Sequence, residues 1–200
     1  MAYDRKDYYY RKAKAEHKAS RAAFKIEQIQ KKFKIVERGA TVVDLGAAPG
    51  GWMEELSKMV GKKGFVLGID KLPIRVHPSE NMLFYLGDLE SGDAINQLKF
   101  RLVAEKADTV VSDMAPNLSG IGFRDSYKSY TLASRALVIC HELLREGGNF
   151  VVKIFPGEEL EGFKEELEKS FRYVATMVPP ATRTTSSERY LVARNYKGKP

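Results

Sequence analysis

Lys153 stands inside the apolar run Asn149–Phe155 (NFVVKIF), where a charged side chain is costly to bury. It either snorkels out from a strand end or serves a site. Asp113 closes another apolar run, Asp108–Asp113 (DTVVSD), and both runs have the β-branched character of buried parallel strands. Ending neighbouring strands at one rim, the two residues would pair a lysine with a carboxylate at the mouth of a ligand site. Such a pair at the mouth of a site is a functional arrangement more often than a decorative one. Glu188, in SSERYLVA at the opening of the last apolar run, can join them, although alone it reads as an ordinary exposed acid.

A second group of residues surrounds a glycine-rich turn. Asp44-Leu-Gly-Ala-Ala-Pro-Gly-Gly-Trp52 runs from a strand through a turn into a helix, and Gly46, Gly50 and Gly51 let the backbone approach a ligand closely. A dinucleotide fingerprint would need glycine where Ala48 stands, and Pro49 stiffens the loop that would cradle pyrophosphate. A nucleoside without phosphate fits better, and S-adenosylmethionine is the common one; a dehydrogenase, or a turn with no ligand, are the competing readings. Asp70 ends the strand FVLGID 24 residues after Gly46 and can accept hydrogen bonds from two ribose hydroxyls, as it would for NAD. Asp88, in LGDLES, is placed to meet an adenine amino group or to cap a turn. Ser112-Asp113-Met-Ala-Pro116-Asn117 lacks the second proline and the aromatic of Asn/Asp-Pro-Pro-Tyr/Phe, the sequence common in enzymes that methylate exocyclic amines. Its absence speaks against base N-methylation and leaves O-methylation open.

The elements that must position these residues follow from periodicity. Strands are expected at Thr41–Gly46, Phe65–Asp70, Met82–Gly87, Asp108–Asp113, Asn149–Phe155, Tyr173–Val178 and Arg189–Asn195. Helices are expected at Lys18–Lys32, Trp52–Val60, Ser91–Glu105, Ser126–Arg145 (stopping at Gly147-Gly148) and Glu158–Ser170. In Lys18–Lys32, Ala22, Ala23, Ile26 and Ile29 share one face. Alternating strands and helices predict an α/β, Rossmann-like class I methyltransferase fold: a mostly parallel seven-stranded sheet closed by an antiparallel C-terminal hairpin.

Composition bounds the rest. Two hundred residues with 44% hydrophobic content predict one domain over 1–200. A charged fraction of 30%, and no apolar stretch near the ~20 residues that span a bilayer, exclude a membrane protein. The charged N-terminus has no signal-peptide core, and the single Cys140 permits no internal disulfide, so a cytoplasmic location is expected. Three scattered histidines suggest no metal site. Residues 1–38 hold twelve Lys/Arg and five Asp/Glu, whereas the remaining 162 residues hold 21 of each. The excess positive charge lies at one end, as for an extension that binds nucleic acid or simply a solvated basic helix. Residues 1–15 are expected to be mobile without a partner, with Tyr3, Tyr8, Tyr9 and Tyr10 available to stack on bases.

In these pieces the chain resembles the FtsJ-like ribosomal RNA 2′-O-methyltransferases. The matching segments are Ser20-Arg-Ala-Ala-Phe-Lys25, Val43-Asp-Leu-Gly-Ala-Ala-Pro-Gly-Gly-Trp52, Ser112–Asn117, Val151-Val-Lys-Ile-Phe155 and Ser186-Ser-Glu-Arg-Tyr190, in the family's order. The resemblance implies a catalytic set of Lys25, Asp113, Lys153 and Glu188, with Lys153 as proton acceptor. It implies cofactor contacts at Gly50, Trp52, Asp70, Asp88 and Asp113, with S-adenosyl-L-methionine as cofactor. The implied reaction is attack of a ribose 2′-hydroxyl, on a uridine of large-subunit ribosomal RNA, at the sulfonium methyl. An ordinary lysine is protonated at pH 7, so Lys153 would orient the hydroxyl and take its proton late. Asp113 would hold Lys153, and Lys25 and Glu188 would position the ribose. Lys-Leu-Pro after Asp70 and Leu-Glu-Ser after Asp88 depart from the bacterial pattern, as does the long basic start. The implied partner is the large ribosomal subunit, met by a monomer; a tRNA ribose methyltransferase and a non-catalytic RNA-binding module are the alternatives.

Overall fold

The computed structural model describes residues 8–199 apart from 17 and 19. In chain order its elements are α1 (Tyr8–Ala15), α2 (Ala22–Phe33), β1 (Thr41–Leu45), α3 (Gly51–Val60), β2 (Phe65–Asp70), β3 (Met82–Leu86) and α4 (Ala94–Arg101). There follow β4 (Ala107–Ser112), α5 (Gly122–Leu143), β5 (Leu144–Ile154), α6 (Glu159–Ser170), β6 (Phe171–Met177) and β7 (Arg189–Tyr196). The strands form one sheet in the order β3-β2-β1-β4-β5-β7-β6, parallel except for β7, which runs antiparallel to both neighbours. This is the class I methyltransferase arrangement the strand–helix alternation predicts. Among the described residues no helix is long and apolar enough to cross a membrane.

Both faces of the central strands are buried, so their sequences are continuously apolar. One face packs Val42, Val66, Val111, Val151 and Val192 against Ile26 and Ile29 of α2 and Trp52, Met53 and Leu56 of α3. The other packs Leu45, Leu67, Val110, Phe150 and Leu191 against Leu137 and Cys140 of α5 and Phe163 and Leu167 of α6. Side chains alternate between faces with a period of two. Asp113, Lys153, Glu188 and Tyr190 share the parity of Val111, Val151 and Val192, so the sheet aims them toward α2, which carries Lys25.

Four sequence expectations need correction. The long helix begins at Gly122 and ends at Leu143, and Gly147-Gly148 lies inside β5. There the β4–β5 register shifts between Ala107 and Thr109 and takes up the extra residues. The strand thus starts where a helix end was expected, because Leu144 already adopts extended backbone. The helix expected over Ser91–Glu105 contracts to α4, and that over Lys18–Lys32 begins only at Ala22. Lys18 instead bridges Glu27 and Glu55, at 2.7 and 2.8 Å. Tyr8–Ala15, expected to be mobile, is helical, with Ala13 and Tyr9 packed on Phe24 and Ala181. Tyr9 is therefore no free stacking ring: it meets Phe24 at 5.5 Å and its hydroxyl accepts a hydrogen bond from Gln28. Tyr8 is exposed, as is Tyr10; Tyr3 lies outside the described residues.

Candidate active site

The strand order reverses between β1 and β4, which open a crevice beyond their carboxyl ends. The glycine-rich turn after β1 and the Asp113 loop after β4 meet there. Gly46 has φ +81°, and a Cβ on it would come within 2.5 Å of Met114 Cγ, so only glycine admits this contact. At Gly50, with φ +107° before α3, an added Cβ would come equally close to Val76 Cγ2.

Beside this crevice the expected catalytic side chains form one connected chain. Lys153 Nζ donates to Asp113 Oδ1 at 3.0 Å and to the Asp113 carbonyl. Tyr190, directly opposite Lys153 in the β5–β7 register, donates its hydroxyl to the same Oδ1 at 2.6 Å. Lys25 Nζ donates to the Tyr190 hydroxyl at 3.3 Å and forms an ion pair with Glu188. Lys25, Lys153 and Glu188 are all buried, and Tyr190 fully so. Glu188 is thus the reverse of an ordinary exposed acid. It is delivered by the loop 179–188, which α2 holds: Gln28 Oε1 accepts from Ala181 N at 2.9 Å, and Arg21 donates to the Ala181 carbonyl.

Charge within this chain is set by burial and neighbours. Burial alone would raise the Asp113 carboxyl, but Lys153 and then Lys25, with hydrogen bonds from Tyr190 and Lys153, hold it below the usual aspartate range. Asp113 is therefore ionised at neutral pH. Burial foremost, then the charges of Asp113 and Glu188, push the Tyr190 phenol well above its ordinary value, so it remains a donor.

The crevice fits a cationic nucleoside. Asp44 is fully buried and neither of its carboxylate oxygens has a hydrogen-bond partner. Burial, with Asp113 and Asp70 nearby, pushes its carboxyl well above the usual range. A ligand bringing positive charge and N–H donors would relieve both defects. Asp70 accepts from Leu72 N on Oδ1 and from Ala48 N on Oδ2, each at 2.9 Å, which fixes the carboxylate and leaves lone pairs for hydroxyls. Asp88 is exposed and accepts from Glu90 N at 2.7 Å while pairing with Lys71 at 3.1 Å. That is the turn-capping arrangement, on the rim of the crevice. The Trp52 side chain is buried, donates to the Ala22 carbonyl at 2.8 Å and packs 5.8 Å from the Tyr190 ring. Its indole braces α2, α3 and Tyr190.

Tyr190 is the member of this connected chain that sequence reasoning passed over. The signal was its parity with Glu188 in a strand facing Lys153, which needs the β5–β7 pairing to become visible. On the Lys25–Glu188 side the surface opens into a groove of about 960 Å³, lined among others by Arg21, Arg124, Arg183 and Phe155.

Comparison with known proteins agrees with this architecture. A protein of Methanothrix thermoacetophila named ribosomal RNA large subunit methyltransferase E is 42% identical over 200 residues, covering all of this chain and 76% of that protein. Its namesake in Methanobrevibacter smithii is 41% identical over 193 residues, 96% of this chain and 91% of that one. The crystal structure of a Plasmodium falciparum ribosomal RNA methyltransferase superposes with a TM-score of 0.79 at 28% identity, over 90% of this chain and all of that chain. Aeropyrum pernix fibrillarin, solved with S-adenosyl-L-methionine natively bound, shares the fold at a TM-score of 0.59 and 18% identity, over 86% of this chain and 75% of that one. The family model described as FtsJ-like methyltransferase matches residues 19–196, and with the two relatives it establishes that the chain belongs to the FtsJ-like methyltransferase family.

Proposed function

We propose that the protein methylates a ribose 2′-hydroxyl of large-subunit ribosomal RNA, a uridine being the first candidate, acting in the cytoplasm as a single domain with residues 1–38 contacting RNA. The observation that carries this reading is the continuous chain Lys153–Asp113–Tyr190–Lys25–Glu188. Its two lysines lie on either side of the ionised Asp113 and the Tyr190 hydroxyl, Glu188 pairs with the outer one, and it offers no aromatic clamp on Asp113-Met-Ala-Pro for an exocyclic amine. All of its members come from one chain, so a monomer suffices. The relatives' shared name over nearly the whole chain favours ribosomal RNA as substrate class.

S-Adenosyl-L-methionine, the cofactor, supplies when bound an electrophilic methyl carbon on a sulfonium. Asp44, Asp70 and the Gly46–Gly50 turn are the groups that would hold it, with Asp88 and the backbone of Trp52 at the edge. Lys153, fixed by two bonds to Asp113, keeps one further position for the acceptor hydroxyl; having first released a proton to solvent, its neutral amine orients the hydroxyl and takes its proton late in the reaction. The ionised Asp113 stabilises the charge that Lys153 then carries. Lys25 and Glu188 orient the ribose from the groove side. Holding the oxygen about 3 Å from the methyl carbon supplies much of the rate enhancement.

The test is transfer of label from S-adenosylmethionine to large subunits lacking the mark, to naked rRNA and to bulk tRNA, with Lys153→Ala as blank. A labelled 2′-O-methyl nucleotide on ribosomal RNA is expected. Label on tRNA alone would retain the chemistry and overturn the target; a labelled base would overturn the 2′-hydroxyl assignment. In Lys153→Ala, transfer should fall by orders of magnitude with cofactor affinity retained; a collapse of cofactor binding instead would make the role of Lys153 structural.

A further inference from the structure

The groove beside Lys25 and Glu188 has a second wall that methyl transfer itself does not use. Phe123 and Tyr127, four residues apart at the start of α5, both line it, with 78% and 57% of their surface exposed. Residues at this spacing share a helix face. Single exposed apolar residues are ordinary, but two large rings on one face of a groove mark an interaction surface.

That face is held rigidly. The Asp125 carboxylate accepts from Ser119 N at 2.8 Å, Ser119 Oγ at 2.7 Å and Gly120 N at 3.0 Å, clamping the loop that enters α5. Ser126 Oγ donates to the Phe123 carbonyl at 2.9 Å, and Ser129 Oγ accepts from Phe155 N at 3.0 Å, fastening the helix to the end of β5. The Tyr127 ring lies 6.2 Å from Tyr130, which meets the buried Phe163 edge-on. A surface fixed before the ligand arrives loses little freedom on binding. Arg124 stands between the two rings in sequence, but Glu158 and Glu159 also line the groove. Mixed charge makes a poor track for phosphates and leaves the flat faces of bases as the matching partner.

We infer that Phe123 and Tyr127 form a stacking platform for an unpaired base adjoining the nucleotide that enters the Lys25–Glu188 end of the groove. The inference rests on the RNA reading above and deepens it: the acceptor is presented single-stranded, with a neighbouring base splayed onto α5.

The experiment measures affinity for an rRNA fragment carrying 2-aminopurine beside the acceptor, together with methyl transfer. In Phe123→Ala and Tyr127→Ala the dissociation constant should rise about fivefold to a hundredfold, the span of one lost stacking contact. Turnover at saturating RNA and cofactor affinity should change less than about twofold, because no phosphate or catalytic contact is removed. The salt slope of binding should stay unchanged. Phe123→Trp and Tyr127→Phe should retain affinity, and wild-type protein should quench the 2-aminopurine while the double alanine variant does not. Unchanged affinity and quenching, in a wild type that transfers label, would overturn the platform and leave the methyltransferase reading standing. Unchanged naked-RNA affinity with a loss confined to assembled subunits would assign the rings to a protein contact and overturn it likewise. A wild type that labels no RNA would remove the proposed function and the platform with it.

Discussion

A carboxylate sealed from water with no partner, as Asp44 is, makes the free protein depend on pH in a definite direction. Its folded-state affinity for a proton exceeds that of the unfolded chain, so the folded form binds more protons above the ordinary aspartate range. This contribution to stability is full below a pH of about 4 and is lost as pH rises through the elevated folded value. Asp44→Asn removes the titration, so Tm without cofactor should decline less from pH 4 to pH 7 than in the wild type, while cofactor affinity falls. Equal slopes in calorimetric scans would place the charge relief elsewhere. Asp113 has the opposite sign: its lowered value means its ion pairs persist until pH falls below the usual aspartate range. Tyr190→Phe keeps the buried ring and deletes one hydrogen bond to the charged form of Asp113. Losing about 1–2 kcal/mol there should slow transfer roughly five- to thirtyfold and move the acid limb of the pH–rate profile upward. A slower enzyme with an unmoved limb would reduce Tyr190 to packing.

At the scale of elements, the site depends on two loops fitted against each other and on one clamp. In Gly46→Ala the new methyl would strike Met114, the neighbour of Asp113, and the turn would be held at an unfavourable φ. Methyl transfer is expected to fall at least tenfold, beyond any loss of folded protein, and single-turnover rates normalised to folded fraction check this. Lys18 binds Glu27 of α2 and the buried Glu55 of α3, tying the segment after α1 to the helix that follows the glycine-rich turn. Lys18→Ala leaves Glu55 with Lys58 alone and should cost about 1–3 kcal/mol in urea unfolding. The central strands and the α3 helix were legible because burial on both faces writes a continuous apolar run. The start of β5 was not, since Gly147-Gly148 has the local signature of a helix end and only pairing with β4 makes it a strand irregularity. Lys153 and Asp113, the pair proposed as catalytic, were legible from their misfit with apolar surroundings. Tyr190 was not, because a tyrosine in a strand misfits nothing, and α1 was hidden by its charge although Phe24 and Ala181 give it a seat.

For the whole molecule, the uneven charge of the sequence is partly spent internally: Lys18 and Lys25 are both paired with buried acids. Arg11 and Lys14, exposed on α1, remain directed outward. Changing both to Gln should weaken RNA binding and reduce the slope of log K against log salt by about 1.4–1.8, with cofactor affinity unchanged. An unaltered slope would return α1 to the role of a solvated helix. The position of β7 has a consequence for how the protein becomes active. The last-made strand does not add to an edge but enters between β5 and β6, and it brings Glu188 and Tyr190 to a lysine contributed near the other end of the chain. During synthesis from the N-terminus, β1 to β5 can pair, whereas β6 has no partner strand until β7 fills the slot beside β5, and until then Lys153 faces no Tyr190. The five-membered chain of side chains therefore closes in a single late event: a nascent chain stalled before β7 carries the cofactor crevice and the Lys153–Asp113 pair but lacks Glu188 and Tyr190.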